Sequence, residues 1–117
     1  MQPAAVKPVI SVGDLEKIDV RVGTIFAAHP VPRSRKLVRL SVDFGDHSRE
    51  VLAGIAAERE DPGEVVGRQA LFVINLPPRT MAGEVSEAML FDIGYADGVR
   101  PVLAVPESAV PNGSRAG

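Results

Sequence analysis

The chain has 117 residues, 45% of them apolar and 24% charged, with a formal net charge of −2. That composition suits one soluble globular domain and excludes a disordered polymer. The absence of cysteine excludes a disulfide scaffold and thiolate chemistry and fits a reducing compartment. The longest apolar run, Ala70 to Ile74, is far below the roughly 20 residues a membrane helix needs.

Residues 1–13 contain Pro3, Pro8 and Gly13 without a clear period and are expected to be a flexible lead-in. They lack the apolar core of a secretory signal, so a cytoplasmic location is expected. The domain proper is expected over 14–117, with one helical turn over 14–18 capped by Asp14. From Val20 the pattern turns β: Val20, Val22, Thr24 and Phe26 alternate with Arg21, Gly23 and Ile25. His29-Pro30-Val31-Pro32 is expected to break that strand, because proline cannot donate to a ladder.

The next strand has the cleanest alternation. Val38, Leu40, Val42 and Phe44 face one way, and Arg39, Ser41 and Asp43 the other. Gly45 to Ser48 makes a hairpin connection, and Arg49 to Ile55 returns as the antiparallel partner. Asp61-Pro62-Gly63-Glu64 is expected to start a short helix, Asp61 capping and Glu64 closing a capping box. Gln69 to Asn75 reads as a buried strand. Ala88 to Ile93 and Pro101 to Val105 read as further short strands, and Asn112-Gly113-Ser114 as a turn.

Three strands, a short helix and then more short strands fit an all-β OB-fold, a five-stranded Greek-key barrel, here with short helices and a C-terminal extension. In that fold the second and third strands and the adjoining loops bind oligonucleotides. Charge is distributed accordingly. From His29 to Val42 the charged residues are Arg33, Arg35, Lys36 and Arg39, with no acid among them, whereas Glu58, Glu60, Asp61 and Glu64 form an acidic run. Screening beyond about 8 Å leaves each patch to act locally, so the basic loop can attract phosphate on a mildly acidic molecule.

Several motifs resemble the tRNA-binding domain family. Asp19 to Ile25 resembles its opening strand. Asn75-Leu76-Pro77-Pro78-Arg79-Thr80-Met81-Ala82-Gly83, followed by Ser86-Glu87-Ala88-Met89-Leu90, resembles its signature, and Asp43-Phe44-Gly45 and Ala53-Gly54-Ile55 also fit. The match runs over about residues 14–115. The family includes free-standing bacterial tRNA-binding proteins, domains appended to synthetases, and CsaA-like export chaperones. The segment 109–115 is similar to the CsaA-like branch and Val51 to Ile55 to the tRNA-binding proteins. No synthetase domain accompanies the match, so a free-standing module is expected.

The resemblance implies a non-catalytic module without metal or cofactor. Its partner would be tRNA or another structured RNA, and its form a homodimer. The alternative is a CsaA-like chaperone for unfolded polypeptide or an export factor. The candidate RNA-binding residues are Arg33, Arg35, Lys36 and Arg39, taken from the charge pattern in a loop that departs from the family's, together with Asn75, Arg79, Ser86, Glu87 and Met89 from the signature segment. Met81 and Met89 read either as flanking the site or as core filler. Ser86 and Glu87 have a second reading as caps of backbone groups at the corner near Gly83. Aromatic residues are few. With Phe44 and Phe72 in apolar patterns, little stacking surface is expected, which favours recognition of RNA shape. His29 and His47, the only histidines, fall in loops and suggest no catalytic cluster.

Overall fold

The computed structural model describes residues 3–117. Met1 and Gln2 of the expected lead-in, and the side chain of Glu58, lie outside the described residues. Helix α1 is a single turn, Val12–Leu15, followed by β1 Val20–Pro30, β2 Val38–Asp43, β3 Ser48–Ala53, β4 Gln69–Val73, β5 Arg79–Met81, β6 Glu84–Ser86, β7 Met89–Leu90, β8 Asp92–Ile93, β9 Val102–Leu103 and β10 Arg115–Ala116. The main sheet runs β3-β2-β1-β4-β7, with β10 also paired to β1. This is the five-stranded OB barrel expected from the strand order.

The barrel forms because β1 serves two neighbours in turn. Residues 20–24 pair with β4, and residues 24–30 pair with β2. A bulge between Ile25 and Ala27 bends the strand between the two ladders. The bulge breaks the simple alternation: Val22 and Ile25 are buried while Phe26 is half-exposed. Gly23 lies where the strand crosses the core. A Cβ there would sit 2.5 Å from Val42 Cγ1 and 2.9 Å from the Phe44 ring. Strand β1 does not break at His29. His29 pairs with Arg39 and Pro30 with Val38. The β4 ladder ends at Thr24, so Pro30 sits where only one flank is paired, a place that tolerates proline.

Leu40, Val42, Val51 and Phe72 are fully buried and pack with Ile25, Phe44, Ile55, Val65 and Leu90 in one core. Phe44 meets Phe72 edge-on at 5.5 Å, an arrangement that aligns the ring quadrupoles favourably. The period-2 pattern of β2 therefore delivers the inner face the sequence indicates.

Both expected helical signals differ in detail. Ser11, not Asp14, caps the first turn, and Asp14 closes its capping box. Asp61 does cap the turn Pro62–Val65, by accepting from the Gly63 N–H. That turn is 3-10, and no capping box forms, because Glu64 pairs with Arg59 at 3.3 Å instead. The expected strand over 88–93 is two pieces, since β7 pairs with β4 and β8 with β9. The β5–β6 and β10 pairings lack a clear sequence signal, being two or three residues long.

Candidate nucleic-acid interface

The β5–β6 hairpin lies over the β2–β3 side of the barrel. Its register, Met81 opposite Glu84, leaves a two-residue turn of Ala82 (φ 51°) and Gly83 (φ 82°). Positive φ at both positions is what a type I′ turn requires. The absence of a side chain at Gly83 admits Arg33, whose Nη1 lies 3.3 Å from where a Cβ would stand. The basic loop between β1 and β2 and the signature hairpin, some fifty residues apart in sequence, thus meet at the hairpin tip.

The loop side chains are not neutralised. Arg33, Arg35, Lys36 and Arg79 are exposed, and none makes an ion pair among the described residues. Ser34 shapes the loop, its Oγ accepting from the N–H groups of Lys36 (3.2 Å) and Leu37 (3.1 Å). Arg39 is different. Its guanidinium lies 3.4 Å from Glu50 Oε1 and 3.3 Å from Glu84 Oε1. A cation held between two carboxylates offers a phosphate much less attraction than a free one. Ser41, opposite Glu50 in the ladder, donates to the same carboxylate at 2.8 and 3.0 Å. The hairpin register makes the Glu50 contact deducible from sequence; nothing local points to Glu84.

The signature polar residues are committed to the fold. Buried Ser86 accepts from the Leu52 N–H at 3.0 Å and donates to the Ala88 carbonyl at 2.8 Å. Glu87 accepts from the Glu50 N–H with its carboxylate at 3.0 Å, while its own N–H donates to the Glu50 carbonyl at 2.9 Å. Glu50 and Leu52 present their N–H groups on the edge of β3 away from β2. Ser86 and Glu87 therefore close the barrel where a regular ladder is missing. Arg49 reinforces the seam by donating to the carbonyls of Ile74 (2.7 Å) and Glu87 (2.9 Å). Asn75 ties the end of β4 to the start of β1, accepting from the Asp19 N–H at 2.9 Å and donating to the Lys17 carbonyl at 2.7 Å.

Between the seam and the hairpin lies a groove of about 230 Å³, lined chiefly by Leu52, Leu76, Pro77, Met81 and Met89, with Arg79 as the one charged residue lining it among the described residues. Ala88 also lines it. Leu52, Leu76, Pro77 and Ala88 fall within the motif segments, but their apolar side chains carry no signal of a binding role. Met89 is 49% exposed, so it presents surface to a ligand. The aromatic expectation needs correction. Phe44 and Phe72 are buried, but Phe26, Phe91 and Tyr95 are exposed. Phe26 is turned outward by the bulge.

Elsewhere, the Arg21 guanidinium, 2.7 Å from Asp19, holds that carboxyl below the usual aspartate value. His47, 2.7 Å from Asp46, does the same for that residue. Neither Asp19 nor Asp46 lines the groove. Among the described residues no cluster of three or more His, Asp or Glu side chains could hold a metal ion.

A small OB barrel with an unpaired basic loop beside an apolar groove defines the class: an OB-fold ligand-binding domain. The family model described as "Putative tRNA binding domain" matches residues 20–115, and the chain belongs to that family. The methionine–tRNA ligase of Chlorobium luteolum is 43% identical over 107 residues, which are 92% of this chain and 15% of the ligase. The chain thus spans only about 15% of the length of such curated relatives. Among solved structures, the MetRS related protein of Pyrococcus horikoshii is 32% identical with a TM-score of 0.86, covering 95% of this chain and 100% of that one. The chaperone CsaA of Bacillus anthracis is 30% identical with a TM-score of 0.81, covering 94% and 100%.

Proposed function

We propose that this domain binds tRNA or a similarly folded RNA and catalyses no reaction of its own. The observation that carries this reading is four exposed cations that make no ion pair among the described residues: Arg33, which packs at the hairpin tip, Arg79 on the hairpin, and Arg35 and Lys36 in the β1–β2 loop. Such cations bind phosphate by releasing condensed counterions, so affinity must fall with salt. Family membership and the ligase relatives support RNA as the polyanion. Asn75, Ser86 and Glu87 enter this reading as the frame that holds the surface, and Arg39 as a tether for the hairpin. No helix among the described residues is long and apolar enough to cross a membrane, and a cytoplasmic site of action suits a tRNA ligand.

The test is binding of total tRNA and of an unfolded polypeptide, side by side, at two salt concentrations. Micromolar or tighter tRNA binding that weakens steeply with salt, with weak peptide binding, is the expected result. Salt-insensitive peptide binding without tRNA binding would replace this reading with the chaperone one. The likeness to CsaA and the apolar groove are what favour that second reading.

The domain acts as a homodimer in this proposal. Val12, Leu15, Ile18, Phe91, Ile93 and Val102 are all at least 45% exposed. A depression of about 670 Å³ bounded by α1, Phe91 and β10 runs through part of this surface. Apolar surface of this extent calls for a partner, and two copies would double the basic surface and raise avidity. Light scattering should give about twice the 12.4 kDa of one chain; a monomer at micromolar concentration removes the avidity argument.

A further inference from the structure

We propose that the groove beside Arg79 holds one unstacked nucleobase of the bound RNA, with Arg79 on a phosphate of the same nucleotide. This rests on the RNA-binding reading and gives the groove a specific occupant. At about 230 Å³ the site is smaller than the roughly 300–1,000 Å³ of pockets for drug-sized ligands. It admits one planar ring system or one large side chain, and no dinucleotide.

Charge decides between those two. Leu52, Leu76, Pro77, Met81 and Met89 offer apolar, polarisable surface to the faces of a ring. Among the described residues Arg79 is the only charged group lining the groove, and it makes no ion pair with any of them. A nucleotide is an aromatic ring carrying an anion, so it satisfies both features. An apolar side chain on a neutral peptide backbone leaves the guanidinium unused. Strand geometry adds a second cation. Arg79 starts β5, which rises about 7 Å to Met81; Gly83 lies in the turn just beyond, and Arg33 packs there. An RNA strand that enters the groove at Arg79 and leaves past the hairpin tip therefore meets Arg33.

The groove reads base identity weakly. Ser86 Oγ already donates to Ala88 and accepts from Leu52, which leaves a single lone pair for a base edge. The domain thus selects RNAs that present an unpaired nucleotide near a duplex, whatever the base. That is a finer requirement than duplex shape alone.

The experiment compares a blunt RNA duplex with the same duplex carrying one bulged 2-aminopurine nucleotide. The bulged duplex should bind roughly five- to tenfold more tightly, at the low end of what stacking a base on an aromatic side chain contributes, as suits a groove of aliphatic and thioether side chains. Its 2-aminopurine emission should rise on binding, because the base leaves its stacked neighbours for a site without aromatic side chains. Met89→Glu and, independently, Leu76→Glu place a carboxylate at half-exposed positions of the groove and should bring the ratio of the two affinities to about one. Circular dichroism checks that both variants are folded. Equal affinity for the two duplexes with salt-dependent binding intact overturns the proposal, as does a preference that survives both variants. A leucine-rich peptide that binds the native chain but neither variant, while both duplexes bind all three alike, assigns the groove to polypeptide and also overturns it. Failure of tRNA and both duplexes to bind at all overturns the RNA-binding reading beneath it.

Discussion

The β1–β2 loop and the corner at residues 75–87 carry the two sets of polar residues that the sequence marks for RNA, and their side chains have opposite fates. In the loop, Arg35 and Lys36 are exposed and unpaired. At the corner, Ser86, Glu87 and Asn75 hold backbone N–H and carbonyl groups that no strand partner reaches. A strongly patterned polar motif can thus mark a joint in the fold, while an irregular loop supplies the charge for binding. The reason is desolvation. A backbone N–H at an unpaired barrel edge must find an acceptor, whereas a lysine head in water has no such demand.

The largest expected effect lies at the seam. Ser86→Ala leaves the Leu52 N–H, at a buried position, without its acceptor, and should cost about 1–3 kcal/mol in denaturant unfolding. A variant as stable as the native chain would break the distinction between corner and loop. Asn75→Ala removes the two bonds that tie β4 to the approach of β1 and should cost about 1 kcal/mol, less than Ser86→Ala because Asn75 is exposed to water. Arg35→Ala combined with Lys36→Ala should change stability by less than about 0.5 kcal/mol. The same pair should lower the slope of log K against log salt by about two units or less, at about 0.7–0.9 per lost phosphate contact. An unchanged slope would place the loop outside the interface.

The smallest effect is on pH. Arg21 holds Asp19 below its ordinary value of 3.8, and Lys17 does the same for Asp14. A carboxyl lowered in the folded state stabilises it above the unfolded value, and the contribution is lost as pH falls through the lowered one. Unfolding titrations should therefore show stability declining below about pH 4. Asp19→Asn should flatten that decline.

Much of the barrel was legible because its signals are local. The alternation in Val38 to Phe44 and the turn after it set β2, β3 and their register without reference to the rest of the chain. The Asp61 cap was legible too, but Glu64 pairs with Arg59 instead of closing a capping box, a contact that the local pattern does not encode. His29-Pro30 misled because proline's effect depends on whether both flanks of a strand are paired. The site was legible by residue type and not by role. Arg39 looks like its neighbours in sequence; the β2–β3 register brings Glu50 to it, and Glu84, arriving on a distant hairpin, adds the second carboxylate that no local pattern announces.

The sequence by itself determined the inner face of the barrel, the position of the basic loop and the membership of the chain in its family. Period-2 burial and ordered motifs are properties of consecutive residues, so they survive without coordinates. Only the tertiary structure decided which cations stay free, which signature residues close the β3 edge, and that Leu52, Leu76 and Met89 form one groove with Arg79. Those outcomes depend on which distant side chains and backbone groups meet, and no local pattern encodes that meeting.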